Sequence, residues 1–188
     1  MERKINASTC LKILMSKELS PLEALPDAFG LYALADHLGN LHYIGMTAKP
    51  KNFRDRIFQR HINGSEERSH KLACNYNVGR MWRDRKHPEH NGADAKQAKA
   101  LRKEFIRRHC KVAYVELDLP QNEIAALERE VISLADPSIK DWNSTRIRVS
   151  TFDEPIELVD ALLNDLGWSE SQRAALKRQS DLYARRAR

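Results

Sequence analysis

Two short apolar runs on either side of a turn-forming segment constrain the fold of this chain more than any other feature. Phe29 to Ala35 and Leu41 to Gly45 flank Asp36-His37-Leu38-Gly39-Asn40. The Asp, Gly and Asn of that segment supply the side-chain acceptors and the backbone freedom that hairpin loops use. The two runs are therefore expected to pair as strands. Each carries a tyrosine close to a glycine: Gly30-Leu31-Tyr32 in the first and Tyr43-Ile44-Gly45 in the second. Asn52-Phe53-Arg54-Asp55-Arg56-Ile57 then opens a helical pattern, with Phe53 and Ile57 as its apolar edge and Asn63-Gly64-Ser65 as its stop.

Residues 6–25 read as helical, with Asn6 or Ser8 as a cap, Leu11, Leu14 and Met15 as a stripe, and Ser20-Pro21 starting a second turn. Residues 66–96 are the least regular part, and a Lys/Arg-rich helix follows from Asp94 to Cys110. Lys111 to Leu117 is the third strand candidate. Asn122 is placed to cap the helix Glu123 to Ala135, and two amphipathic helical segments, Pro155 to Leu166 and Ser169 to Arg188, close the chain. The expected architecture is α/β: a small three-stranded, mainly antiparallel sheet flanked by helices, with added N- and C-terminal helices. The expected divisions are a helical extension over 1–28, a central domain over 29–148 with a basic insert at 66–110, and a second helical extension over 149–188.

At 188 residues the chain can bury one real core and is marginal for two independent ones. No run approaches the roughly 18 apolar residues of a membrane span, and the N-terminus lacks a signal-peptide core, so a cytoplasmic protein with no membrane partner is expected. Cys10, Cys74 and Cys110 are far apart and support neither a disulfide framework nor a zinc site. The net charge of +6 is unevenly spread. Lys49 to Lys111 holds 18 Lys or Arg against 7 Asp or Glu, a surplus of 11, and the remainder carries 14 against 19. Such a block displaces counterions from a phosphate backbone, so nucleic acid is the favoured partner. Within it, Asn75, Asn77, Arg80, Trp82, Arg83, Arg85 and Lys86 combine the amides, cations and aromatic that reach base edges and phosphates.

Glu128 stands out on its helix. With Ile124 at zero and about 100° per residue, Val131 falls near −20°, Leu127 near −60°, Ala135 near +20° and Glu128 near +40°. Its carboxylate thus lies within the apolar stripe, while Arg129 and Glu130 point away. A carboxylate there needs a cation, a metal or a hydrogen-bonding partner, because leaving it buried and alone is very costly.

The hairpin triplets, the Asn-apolar-x-x-Arg helix start, the later Glu helix ending at Asp136-Pro137, and Asn143 resemble, in that order, the GIY-YIG nuclease family over about residues 29 to 143. The resemblance implies hydrolysis of DNA with one divalent metal ion, Mg²⁺ or Mn²⁺ in its place, with Glu128 as the protein's only metal ligand. It implies that Arg56 holds the phosphate, that Tyr32 or Tyr43 takes a proton from the attacking water, and that Asn143 orients the site. Arg54 competes with Arg56 for its place, since the loop from Gly45 to Asn52 is longer than is usual in the family. Arg60 stands where many members have a His, and His61 falls one residue later. Lys71 and, less directly, His70 match a segment of phage-type members. Arg54, Arg60, Arg80, Arg83, Arg85 and Lys86 are the expected DNA contacts.

The expected activity is thus a metal-dependent DNA endonuclease leaving a 5′-phosphate and a 3′-hydroxyl. A compact chain with its own basic insert looks most like a restriction-type, site-specific enzyme acting on double-stranded DNA, as a homodimer because one site cuts one strand. The alternatives are a structure-specific repair or mobile-element nuclease, a non-catalytic DNA-binding module and an RNA-binding protein.

Overall fold

The computed structural model describes residues 5–66, 69–84, 92–143 and 152–186. Contacts divide the chain into two units, one built from residues 1–60 and 108–148 and the other from 61–107 and 149–188. Among the described residues no helix is long and apolar enough to cross a membrane.

The first unit is an α/β structure around one antiparallel sheet. Its strands are β1 (Ser20–Pro21), β2 (Gly30–Ala35), β3 (Leu41–Thr47) and β4 (Lys111–Glu116), in the spatial order β1-β4-β2-β3. The expected hairpin is β2 and β3, in which Tyr32 faces Gly45 and Leu34 faces Tyr43. Asp36 holds its turn by accepting from the Leu38 and Asn40 backbone N–H groups, both at 2.8 Å. The sheet has four strands rather than three. Ser20-Pro21, expected to begin a helical turn, pairs instead with Val112 and Lys111 before a short 3₁₀ turn at Leu22–Ala24. A two-residue strand is too short to show alternation, and a proline without an N–H is tolerated at a sheet edge.

Alternation along the strands gives the sheet two buried faces. On one, Leu31, Ala33, Ile44, Ala113 and Val115 pack against α1 (Ala7–Ser16) and α5 (Gln121–Leu134). From the segment expected as an N-terminal extension, Ala7, Cys10 and Leu14 belong to this core. On the other face, the Tyr32 and Tyr114 rings pack on Phe53, which opens α2 (Phe53–Arg56), at centroid distances of 6.3 and 5.5 Å. With both faces covered, all six residues of β2 are buried.

Caps decide where the helices begin. Asn6 accepts from the Thr9 N–H at 2.9 Å and Asn52 from that of Asp55 at 2.7 Å, so α1 and α2 have side-chain caps. Asn122 does not cap α5, which starts earlier, at Gln121 after Pro120, and takes Asn122 into its first turn. The α5 wheel is as expected: Ile124 and Val131 are buried, Glu128 is half-buried, and Arg129 and Glu130 are exposed.

The second unit contains α3 (Lys71–Asn75), most of α4 (Ala93–His109), α6 (Ile156–Asp165) and α7 (Glu170–Arg186). Leu101, Phe105, Leu162, Leu163 and Leu176 are among its buried side chains, and Ser169 and Gln172 cap α7 reciprocally. A fully buried Arg102 donates to the Met81 carbonyl at 2.8 Å and to the Asn77 and Glu66 side chains.

Candidate active site

β3 is the outermost strand on its side, so alternate residues turn their backbone groups away from β2. Ile44 is one of them. Asn143 covers it twice: its Oδ1 accepts from the Ile44 N–H at 2.9 Å and its Nδ2 donates to the Ile44 carbonyl at 2.6 Å. Met46, two residues on, points the same way, and its N–H donates to the Glu128 carboxylate. Glu128 thus reaches from α5, on one face of the sheet, round the β3 edge towards the tyrosines of the other.

Tyr32 and Tyr43 are diagonal neighbours across the hairpin, with ring centroids 6.1 Å apart. Gly45 makes room for both. A Cβ there would lie 2.7 Å from the Tyr32 hydroxyl oxygen and 2.6 Å from Tyr43 Cε1. Gly30, the first residue of the motif, has φ +140°, and a Cβ would come within 2.0 Å of the Val115 carbonyl oxygen of β4. The two glycines therefore serve close approach: one of a strand, the other of two phenol rings.

Arg56 completes the group. Its helix is tied down on the sheet side by the Phe53 N–H donating to the Ala28 carbonyl at 2.9 Å and by the Asn52 amide on Asp27 at 2.5 Å. The Thr47 hydroxyl closes the preceding loop onto the Lys51 carbonyl at 2.5 Å. In this register the Arg56 guanidinium donates to the hydroxyls of Tyr32 and Tyr43. Arg54 is exposed, with its guanidinium 5.7 Å from the Phe58 ring centre, so of the two arginines it is Arg56 that lies beside the tyrosines and Glu128. Arg60 is exposed as well.

The electrostatics follow from crowding one cation and one anion around two phenols. Burial, then the neighbouring Tyr43, push the Tyr32 hydroxyl well above the ordinary phenol range, against the opposing pull of Arg56. Tyr43 is raised by burial and by Glu128, again opposed by Arg56 and by the Tyr32 hydroxyl donating to it. Burial raises the Glu128 carboxyl, and Arg56, the Met46 N–H and Arg129 pull the other way. Burial works against the Arg56 charge, but the two tyrosines and Glu128 outweigh it and raise that guanidinium further. Tyr32 is fully enclosed and Tyr43 only half so, which makes Tyr43 the phenol with access to water.

Among the described residues no three His, Cys, Asp or Glu side chains converge as a metal cage, and Glu128 is the only carboxylate in this group. One half-buried carboxylate fits Mg²⁺, which keeps most of its waters and does not demand an all-protein cage. It does not fit a structural zinc site.

The other expected site residues lie in the second unit. His61 and Lys71 are buried, at 1% and 5% exposure, and the His70 ring Nδ1 sits 2.9 Å from both the hydroxyl and the carbonyl oxygen of Ser65. Arg80 is held by Glu154 and Asp160, each at 2.5 Å, and Arg83 pairs with Glu66 at 3.3 Å. The expectation that Arg80 and Arg83 are free to read bases therefore meets guanidiniums already engaged by carboxylates. Arg85 and Lys86 lie outside the described residues. Sequence reasoning missed the Met46 N–H, a backbone group that no side-chain pattern reveals, and the spatial role of Gly45.

Comparison of the chain with protein-family models, with curated proteins and with solved structures found no match in any of the three.

Proposed function

We propose that the first unit hydrolyses phosphodiester bonds in DNA with the help of a divalent cation. The observation that carries this reading is the convergence of Tyr43, Arg56 and Glu128 at a sheet edge fixed by Asn143. Glu128 would hold the cation, with Mg²⁺ or Mn²⁺ as the fitting ions. A cation bound there supplies Lewis-acid stabilisation of the phosphoryl charge and offsets, at Tyr43, the carboxylate charge that now raises its hydroxyl.

Arg56 binds the phosphate. Its guanidinium is always charged and has five donors, and its Nε is buried with no hydrogen-bond partner among the described residues. Tyr43 gives its hydroxyl proton to solvent, a loss that the Arg56 guanidinium favours, and then accepts the proton of a water aligned for in-line attack on phosphorus. The bond from phosphorus to the 3′-oxygen breaks and that oxygen takes a proton from solvent, leaving a 5′-phosphate and a 3′-hydroxyl. Tyr32, closed off from water, positions Tyr43 and Arg56 through its hydroxyl.

Site-specific cutting of duplex DNA by two copies of the chain is the finer form of this reading. The internal pairing of Arg80 and Arg83 favours a second form, in which DNA structure rather than base sequence selects the site. The experiment is to incubate the full chain with supercoiled plasmid and with RNA of mixed sequence, with Mg²⁺, Mn²⁺ or EDTA. Nicked or linear plasmid with either ion, and none with EDTA, is the expected result. Binding without cutting under every condition would leave a non-catalytic module.

A further inference from the structure

His42 occupies a position that the nuclease reading does not use. Its imidazole lies between two carboxylates: Nε2 is 3.0 Å from Asp36 Oδ2 and Nδ1 is 3.0 Å from Asp141 Oδ1. The ring also lies flat on Trp142, with centroids 4.6 Å apart and planes within 10° of parallel. A neutral imidazole has one N–H, so both contacts are hydrogen bonds only when the ring is an imidazolium. Asp36 cannot retreat, since it is buried and holds the Leu38 and Asn40 N–H groups of the hairpin turn.

The contacts join two short segments twice. His42 and Ile44 stand on either side of Tyr43; Asp141 and Asn143 stand on either side of Trp142. At one end His42 meets Asp141, at the other Asn143 brackets Ile44, and between them Trp142 covers the His42 ring. We propose that His42 is a positioning residue whose charged ring, bridging Asp36 and Asp141, clamps residues 141–143 onto β3 and so sets Asn143 on Ile44. The clamp is a property of the fold; its effect on cleavage rests on the proposed nuclease activity.

The clamp makes the arrangement sensitive to pH. Among the described residues, charged groups that face the ring are Asp36 from the hairpin and Asp141 from a short 3₁₀ turn, Asp141–Asn143. The adjacent turn brings Ser138 and Ile139, and the Lys140 ammonium is occupied by the Ile132 carbonyl at 2.5 Å. Burial opposes the charge on His42, but the hydrogen bonds and charges of Asp36 and Asp141 prevail and raise its pKa. A His raised in the folded state contributes stability that is complete below the unfolded value and is lost as pH rises through the folded one. The half-exposed Asp141 is the contact that yields.

The test is NMR on the full chain as a function of pH, following the His42 ring, the Ile44 backbone amide and the Asn143 side-chain amide. All three are expected to change with one midpoint, above that of an ordinary histidine. Asp141→Asn keeps the ring and its Trp142 stack; it should lower that midpoint and speed hydrogen exchange at Ile44 by about tenfold. Titration of His42 with no response at Ile44 and Asn143, or unchanged Ile44 exchange in the variant, overturns the proposal. In cleavage assays the variant should lose kcat with KM little changed, and its pH profile should move with the His42 midpoint. A wild type that never cuts refutes the nuclease reading and leaves the NMR result to decide the clamp.

Discussion

Tyr32 and Gly45 face each other across β2 and β3 so closely that a single added methyl group at Gly45 would lie 2.7 Å from the Tyr32 hydroxyl oxygen. Tyr43 is equally close on the other side. Gly45→Ala should therefore push both rings away from Arg56. Overpacking of this kind costs roughly 1 to 3 kcal/mol, so the variant should stay folded with a lowered melting temperature while plasmid nicking falls at least a hundredfold. Gly39→Ala is the control. Unlike Gly45, it sits at a positive φ, +88°, and a Cβ there would meet only the Leu19 side chain at an ordinary 3.7 Å, so the variant should lose stability through backbone strain and keep its cleavage rate per folded molecule.

Glu128→Gln should abolish cleavage and raise stability. The Glu128 carboxyl is raised by burial, so its contribution to stability is present below the ordinary carboxylate range and is lost as pH rises through the folded value. At neutral pH the ionised side chain costs the fold free energy, and the isosteric amide removes that charge. Urea unfolding at pH 7 and at pH 4 checks the sign: the gain for the variant should be larger at pH 7. DNA affinity in EDTA should change little, because the basic surface is untouched.

Arg56→Ala and Arg54→Ala separate a site cation from a surface one. Loss of Arg56 removes the donor shared by both phenols and should lower the nicking rate at least a hundredfold, which corresponds to about 2.7 kcal/mol. Arg54 is exposed, and its loss should cost about 1 kcal/mol or less of DNA affinity. Rates on plasmid and affinities on a short duplex, measured for both variants, give the ranking; the reverse order would shift the site by two residues.

Arg80→Ala should act on the fold more than on DNA. Its guanidinium is paired to Glu154 and Asp160, and Glu154 also accepts from the Arg80 backbone N–H at 3.0 Å. Removing the side chain leaves a largely buried carboxylate without its cation, a loss on the order of 2 kcal/mol. Denaturant unfolding should show that loss, while affinity for a selected site and for scrambled duplex should change by the same factor. A loss confined to the selected site would restore Arg80 as a base reader.

These four sites also show what a sequence exposes and what it conceals. The hairpin and the place of Glu128 in the α5 stripe are legible because they depend on local period: alternation for Tyr32 and Tyr43, about 100° per residue for Glu128 against Ile124 and Val131. The register of Arg56 over Arg54 is set by Asn52 capping its own helix, again a local device. What was not legible depends on long separation or on no pattern at all. The carboxylates that hold Arg80 lie 74 and 80 residues further on, so a paired arginine looked like a free one. The strand at Ser20-Pro21 exists only because β4 offers it an edge. Lys71 and His61 carry polar chemistry in their names, yet burial places both inside the second unit.

The strand order has a consequence for how the chain is assembled. β4 is the last strand in sequence and an inner one in space, pairing Glu116 with Gly30 across 86 residues. Of the 63 residues between Thr47 and Lys111, the 47 from 61 to 107 belong to the second unit. Without them the connection would be about a quarter as long; two doublings of loop length add only about 1 kcal/mol to closure. The sheet can thus house so large a guest at little thermodynamic cost, and the burden falls on timing instead. The β2–β3 hairpin can close as soon as it is made, but one edge of β2, whose six residues are all destined for burial, waits open until β4 arrives.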